Sequence, residues 1–420
     1  MIIRSIKNIF KTQPDKYYNL LVVSIYLYAL TFSVGVVVWG KSPIYHITQL
    51  FFGFACLFCT LKVSRHNRRT ILDKPAKWFI TLLLLWNAIL VFRGLMDDPT
   101  AGGVARMILY PSNFFFYIIP FYALLYVDEN RLRILFKWWI VSILISCVLL
   151  YAFRNVFAVT NLAELNDFAS DDISFYNILN LSGIVSSTVM SIGFFAIYNR
   201  WNTRIEKLFV YIMIGVGIVT IATLGRRGGV VSVLILIAAM VVMSMREKPR
   251  QMVLFILISI FAISYIASHL DEIMSYFPIL SDRLTDDTRS WAEDEFYKDF
   301  QDDTVSWMFG RGSLGEYYSP TYGMRGVIET GYLHLVLKGG LIEAFLFTAL
   351  IVYATLKGWF CSKVKIVNAM SLFLLIQLPF MYMGSPVDYN LNNLAIWICV
   401  GCCCNKRMRK GLMLPADIKF

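Results

Sequence analysis

Apolar stretches near the length of a bilayer, joined by connections of which every second one is basic, constrain this chain more than anything else in its sequence. They run at about 18–39, 46–62, 78–95, 107–127, 138–157, 177–198, 208–225, 229–245, 252–267, 328–356, 366–384 and 388–404. Roughly 20 apolar residues cross the hydrocarbon core as a helix. In lipid the backbone must satisfy its own hydrogen bonds, which a helix does. The expected fold is therefore an all-α polytopic membrane protein of about 12 transmembrane helices, a single domain over 1–420. Only 16% of its residues are charged, against about 25% in a soluble chain. A basic start (Arg4, Lys7, Lys11, Lys16) leads into the first span without a small-residue cleavage site, so that span reads as a retained signal anchor.

Placing the N-terminus inside puts all but twelve of the 39 Lys and Arg in inner segments. These include Lys62 to Arg69, Arg131/Arg133/Lys137, Arg200/Arg204/Lys207, Arg246/Lys248/Arg250, Lys357/Lys363/Lys365 and Lys406 to Lys410. Such an alternation follows the positive-inside rule and sets both termini in the cytoplasm. The net charge of +11 thus reports orientation, not a nucleic-acid partner. Eight cysteines add no metal or disulfide reading: Cys56-Leu-Phe-Cys59 lies inside a span, and Cys399 and Cys402 to Cys404 lie at the inner end of the last. A lone CxxC there lacks the second ligand pair of a zinc site.

The polar residues concentrate in one outer loop, 268–327, with 12 Asp/Glu and five Lys/Arg. A connection much longer than ~15 residues is usually functional or disordered, and its Trp and Tyr residues argue for order. Within it, Ser281 to Asp303 reads as an amphipathic segment with Trp291, Phe296 and Phe300 on one face, able to lie on the membrane surface. A turn follows at Phe309-Gly-Arg311-Gly-Ser-Leu-Gly315.

Twelve cations fall where topology disfavours them: Lys41, Arg93, Arg106, Arg154, Arg226, Arg227, Arg283, Arg289, Lys298, Arg311, Arg325 and Lys338. Charges near hydrocarbon tend to mark function. Arg226 and Arg227 stand between Gly225 and Gly228 in an outer turn, where glycines admit an anion to the backbone and guanidinium suits phosphate. Arg289, Arg283 and Arg311 are further ligand candidates; the alternative is that they pair with the loop's own acids. Glu329 is expected to open the tenth span, sharing one helical face with Leu333, Val336 and Gly340. There a carboxylate can accept a proton from a sugar hydroxyl. His334, about 140° round that helix, is a second acid/base candidate. Lys338 lies deep enough to require a carboxylate or carbonyl partner.

Together these stretches resemble the O-antigen polymerase and O-antigen ligase superfamily of bacterial envelope proteins. The similarity rests on Arg227-Gly228, Arg289-Ser-Trp291, Gly310-Arg-Gly312, and Glu329-Thr-Gly-Tyr332-Leu333 through Gly340-Leu341-Ile342, within about 225–345. Glu329 stands where the family usually has histidine, Thr330 where it has Asn, and Trp291 is closer to its arginine than is usual. The resemblance implies a GT-C-type, metal-independent, inverting glycosyl transfer with no cofactor, at the periplasmic face of a bacterial inner membrane. The donor would be an oligosaccharide on undecaprenyl pyrophosphate. Glu329 would be the base, Arg227 and Arg289 would hold the diphosphate, and Arg226, Arg283, Arg311, Tyr332 and His334 would line the substrate. A flippase and a chain-length regulator would be partners. The missing histidine favours an O-antigen or capsular polymerase over a ligase acting on lipid A-core. A polysaccharide or lipid transporter is the alternative of another class, which repeated polar positions at mid-bilayer would favour.

Overall fold

The computed structural model describes residues 15–35, 42–65, 72–110, 113–125, 127–152, 187–199, 204–223, 227–247, 290–320, 323–383 and 389–411, with 185, 261, 264 and 268. Helices dominate. In chain order they are α1 Lys16–Leu30, continued by a π-turn Thr31–Gly35, α2 Pro43–Arg65, α3 Lys74–Asp97, α4 Ala101–Leu109 and α5 Phe114–Ile118, continued by a 3-10 turn Ile119–Leu124. Next come α6 Glu129–Ala152, α7 Phe194–Ile197, α8 Arg204–Thr223, α9 Arg227–Glu247, α10 Ser290–Phe300 and α11 Thr304–Phe309. A hairpin of β1 Tyr317–Ser319 and β2 Gly323–Arg325 leads to α12 Gly331–Phe360, α13 Lys365–Met383, α14 Leu391–Cys404 and α15 Lys406–Arg409.

Among the described residues six helices are long and apolar enough to cross a membrane: α1 with its π-turn, α2, α3, α6, α12 and α13. The protein is thus an all-α membrane protein. The expected span at 107–127 is instead two helices, α4 and the α5 segment, bent by 56°. Within the second segment Pro120 removes a backbone donor where the helix tightens to a 3-10 turn. The expected last span, α14, has 14 residues, about 21 Å of helix, shorter than the ~30 Å hydrocarbon core. All its residues but Asn392 are buried, so it packs inside the bundle. Helices α8 and α9 overlap the expected spans at 208–225 and 229–245 but are not among those six. Most of the expected span at 252–267 and all of the acidic segment at 154–176 lie outside the described residues.

Helix starts follow local chemistry. Asp15 Oδ1 accepts from the Tyr18 amide (3.3 Å), Asp303 from Ser306 (2.9 Å) and Asn390 from Asn393 (3.0 Å), each satisfying an otherwise orphan donor. Pro75 at the first turn of α3 is tolerated because its missing donor has no helical partner there. Along α3, Trp78, Leu82, Leu85, Ile89, Phe92 and Met96 are exposed at helical spacing, the row that lipid covers. At Gly401 the backbone of α14 meets Ala123, and a Cβ there would lie 2.5 Å from the Ala123 carbonyl oxygen.

Polar contacts gather at two ends. At one, Arg131 binds Asp15 (2.5 Å) and lies over the Tyr18 ring. Arg409 binds Asp73 (2.9 Å) and the Cys403 carbonyl (2.8 Å), and Leu72 bridges to Asn405. At the other end, Ser313 meets Leu90 and Gly94, and Arg106 reaches Glu316.

Candidate functional site

Residues 290–320 and 323–328 fold as a roof over the second end. Phe296 and Phe300 of α10 are fully buried against Tyr317, Ile328, Leu333, Val336 and Leu337, with Trp307 packed alongside. This corrects the expectation of a surface-lying helix. The apolar face of α10 turns inward because the start of α12 offers it a protein partner. The glycines of the turn make the joint possible. Gly310 (φ 65°, ψ −173°) and Gly340 (φ 71°, ψ −172°) both occupy a region essentially reserved for glycine. A Cβ on Gly310 would collide with the Lys338 carbonyl, and one on Gly340 with the Met308 carbonyl. Backbone therefore meets backbone at van der Waals contact.

That contact breaks α12. The Leu337 carbonyl accepts from the Arg311 amide (2.8 Å), the Lys338 carbonyl from Gly312 (2.9 Å) and the Gly339 carbonyl from Trp86 Nε1 (3.0 Å). Three helix acceptors are thus served by the loop and by α3, as buried backbone requires.

The same joint accounts for several cations that topology left unexplained. Arg93 donates to the carbonyls of Phe309 (2.9 Å) and Gly310 (3.1 Å), closing the C-terminal end of α11. Arg106 pairs with Asp98 and Glu316. Lys338 donates to the Gly315 carbonyl at 2.8 Å, the carbonyl partner its depth demanded. Arg311 binds Asp299 (2.5 Å), Asp303 (3.4 Å) and the Glu316 carbonyl (2.9 Å), and lies over the Phe300 ring. Of the two readings of Arg311, self-pairing within the loop is the one its contacts follow. Hydrogen bonds from Ser306, then the charge of Arg311, hold the Asp303 carboxyl below the usual carboxylate range.

A cleft opens beside this roof, lined by Trp291, Ala292, Glu293, Tyr317, Arg325, Ile328 and Glu329. Glu329 is exposed at its rim and lies in a bend two residues before α12. The expected helical face shared with Gly340 is thus not formed, because α12 begins at Gly331 and breaks at Gly340. Thr330 bonds Glu293, tying the entry of α12 to α10. Arg325 lies 5.2 Å over the Trp291 ring. Burial raises the hydroxyl pKa of Tyr317 above its ordinary value.

The remaining candidates divide. Tyr332 donates its hydroxyl to the Leu378 carbonyl (2.9 Å), pinning α12 to α13. His334 is fully buried away from the cleft. Arg227 begins α9, its side chain lying outside the described residues with Arg226, Arg283 and Arg289. Arg289 directly precedes α10, whose Trp291 lines the cleft. The structure adds Glu293, Tyr317 and Arg325 to the cleft. Of these only Arg325 carried a sequence signal, its charge on the outer side.

These features define a helical membrane protein with a roofed polar end. No protein-family profile matches the chain, and no curated protein or solved structure is significantly similar to it.

Proposed function

We propose that the chain is a membrane glycosyltransferase that polymerises lipid-linked oligosaccharides at the outer face of a bacterial inner membrane. The observation that carries this reading is the cleft. An exposed carboxylate, Glu329, shares it with a guanidinium, Arg325, and an aromatic ring, Trp291, at the boundary between the apolar bundle and its polar roof. A diphosphate-linked sugar needs these three chemistries at that height. Its prenyl chain stays in lipid, its diphosphate sits at the interface and its sugars lie in water.

In the reaction the acceptor hydroxyl oxygen attacks the anomeric carbon from the face opposite the diphosphate. The carbon–oxygen bond to the diphosphate breaks, its electron pair leaves with the phosphate, and configuration inverts. Glu329 takes the hydroxyl proton as the bond forms. Arg227 and Arg289, with Arg325 behind the Trp291 ring, stabilise the charge that grows on the leaving diphosphate, where fixed cations lower the barrier most.

One observation favours a transporter as the second reading: His334, Lys338 and Glu343 are all buried in one broken span. Broken helices with polar residues at depth are a transporter device. An envelope-glycan gel from a deletion strain separates the readings. Single capped repeat units indicate a polymerase, polymer stranded on its lipid carrier indicates a ligase, and loss of any outward-facing intermediate indicates a transporter.

A further inference from the structure

A second polar cluster lies away from the cleft, below the break in α12, and the glycosyl-transfer reading does not use it. Glu343 stands three residues past Gly340 and is 2% exposed. Its carboxyl folds back over Gly339, filling the space a side chain there would need. Oε2 has no hydrogen-bond partner among the described residues. Three other buried groups share that condition. The Tyr117 hydroxyl, in α5, is buried without a partner and lies within electrostatic reach of Glu343. Asn87, in α3, donates its amide to the Tyr117 carbonyl (2.9 Å) and leaves Oδ1 unsatisfied. Neither ring nitrogen of His334 has a partner.

An ionised carboxylate buried with an unpartnered oxygen is costly. Protonation removes that cost and makes Glu343 a donor as well as an acceptor. Lys338 does not neutralise it, because the ammonium is turned outward onto the Gly315 carbonyl. There it lies beside Gly326 and within electrostatic reach of both Glu316 and Glu343. Glu316 in turn meets Arg106 and is partly exposed to outer water. Glu343, Lys338 and Glu316 therefore form a ladder of titratable groups from the buried break to the surface. Tyr117, His334 and Arg106 are the other titratable or charged groups that face it.

We propose that Glu343 is a proton-binding site inside the membrane, exchanging with outer water through Lys338 and Glu316. In each passage the Lys338 ammonium gives a proton to the Glu316 carboxylate. The resulting amine takes the proton of Glu343. One proton has then moved outward, one negative charge inward, and Lys338 is unchanged. The site stands whether the chain is a transferase or a transporter.

Infrared difference spectroscopy of the whole protein in nanodiscs tests it. A carboxylic-acid carbonyl band at neutral pH should vanish in Glu343→Gln and shift in Tyr117→Phe, which removes the hydroxyl within electrostatic reach of it. After transfer to heavy water the deuterium shift of that band should be slowed in Lys338→Met, with the band itself retained. If Glu343→Gln does not fold, Glu343→Asp assigns the band by moving it. The proposal is overturned if no acid band belongs to residue 343. It is also overturned if sodium titration removes the band, which would make the site one for a metal ion. Exchange unaffected by Lys338→Met would overturn the route.

Discussion

Gly312 donates its backbone amide to the Lys338 carbonyl at 2.9 Å, so the loop after α11 supplies a hydrogen bond that α12 surrenders where it breaks. Roof and bundle are stitched together by backbone, and the glycines on either side decide whether they can be.

Gly340→Ala and Gly310→Ala should each destabilise the protein by about 3 kcal/mol or more, since strain of 1–3 kcal/mol adds to a backbone collision. Gly323→Ala is the control: its φ is also positive, at 74°, but nothing lies within 4 Å of an added Cβ. It should cost about 1 kcal/mol. Thermal unfolding in detergent checks the order. Equal losses at all three positions would show that the collision contributes nothing.

Arg311→Met should open the roof, leaving Asp299 and Asp303 without their cation. The expected loss is about 1–3 kcal/mol, read as faster proteolysis between residues 290 and 328. Lysine should not restore it, because the guanidinium serves five acceptors at once.

Acid should act on the same segment. Asp303 titrates below the usual carboxylate range, mainly through its Ser306 hydrogen bonds. A carboxyl whose folded pKa is depressed stabilises the fold above its unfolded value, near 3.9. That stabilisation is lost as pH falls through the lower folded value. Proteolysis of the roof should therefore accelerate at strongly acid pH in the wild type. In Asp303→Asn the acceleration should shrink, from a faster starting rate at neutral pH.

Asp73 and Arg409 fasten the opposite end. Their side chains are 20% and 8% exposed. Asp73→Asn should cost about 2 kcal/mol, less than a fully buried pair, because it leaves the guanidinium largely buried without its counter-charge. Asp73→Asn combined with Arg409→Met should cost less than the sum of the two single changes. Additivity would mean the pair is not coupled.

Sequence and structure agree where hydropathy and charge decide. The ends of α2, α3 and α13 fall within a few residues of the apolar stretches, and Lys338 has the carbonyl its depth required, while α6 starts nine residues before its expected span. The break at Gly340 was not legible. Glycine pairs are ordinary in membrane helices, and the partner that opens this one, at Met308 to Gly312, lies some 30 residues earlier in the chain. For the same reason Glu329 was read as helical. The cations repeat the pattern. Arg93 and Arg311 stood out by position, but carbonyls and acids brought together by folding occupy them. Sequence alone could not distinguish a site from a brace.

On the proposed reading Glu329 is the base at the rim of the cleft, and one strain measures that role directly. Glu329→Gln should reach the membrane in wild-type amount while the envelope-glycan gel collapses to single capped repeat units. Polymer of wild-type length from that variant would contradict the account.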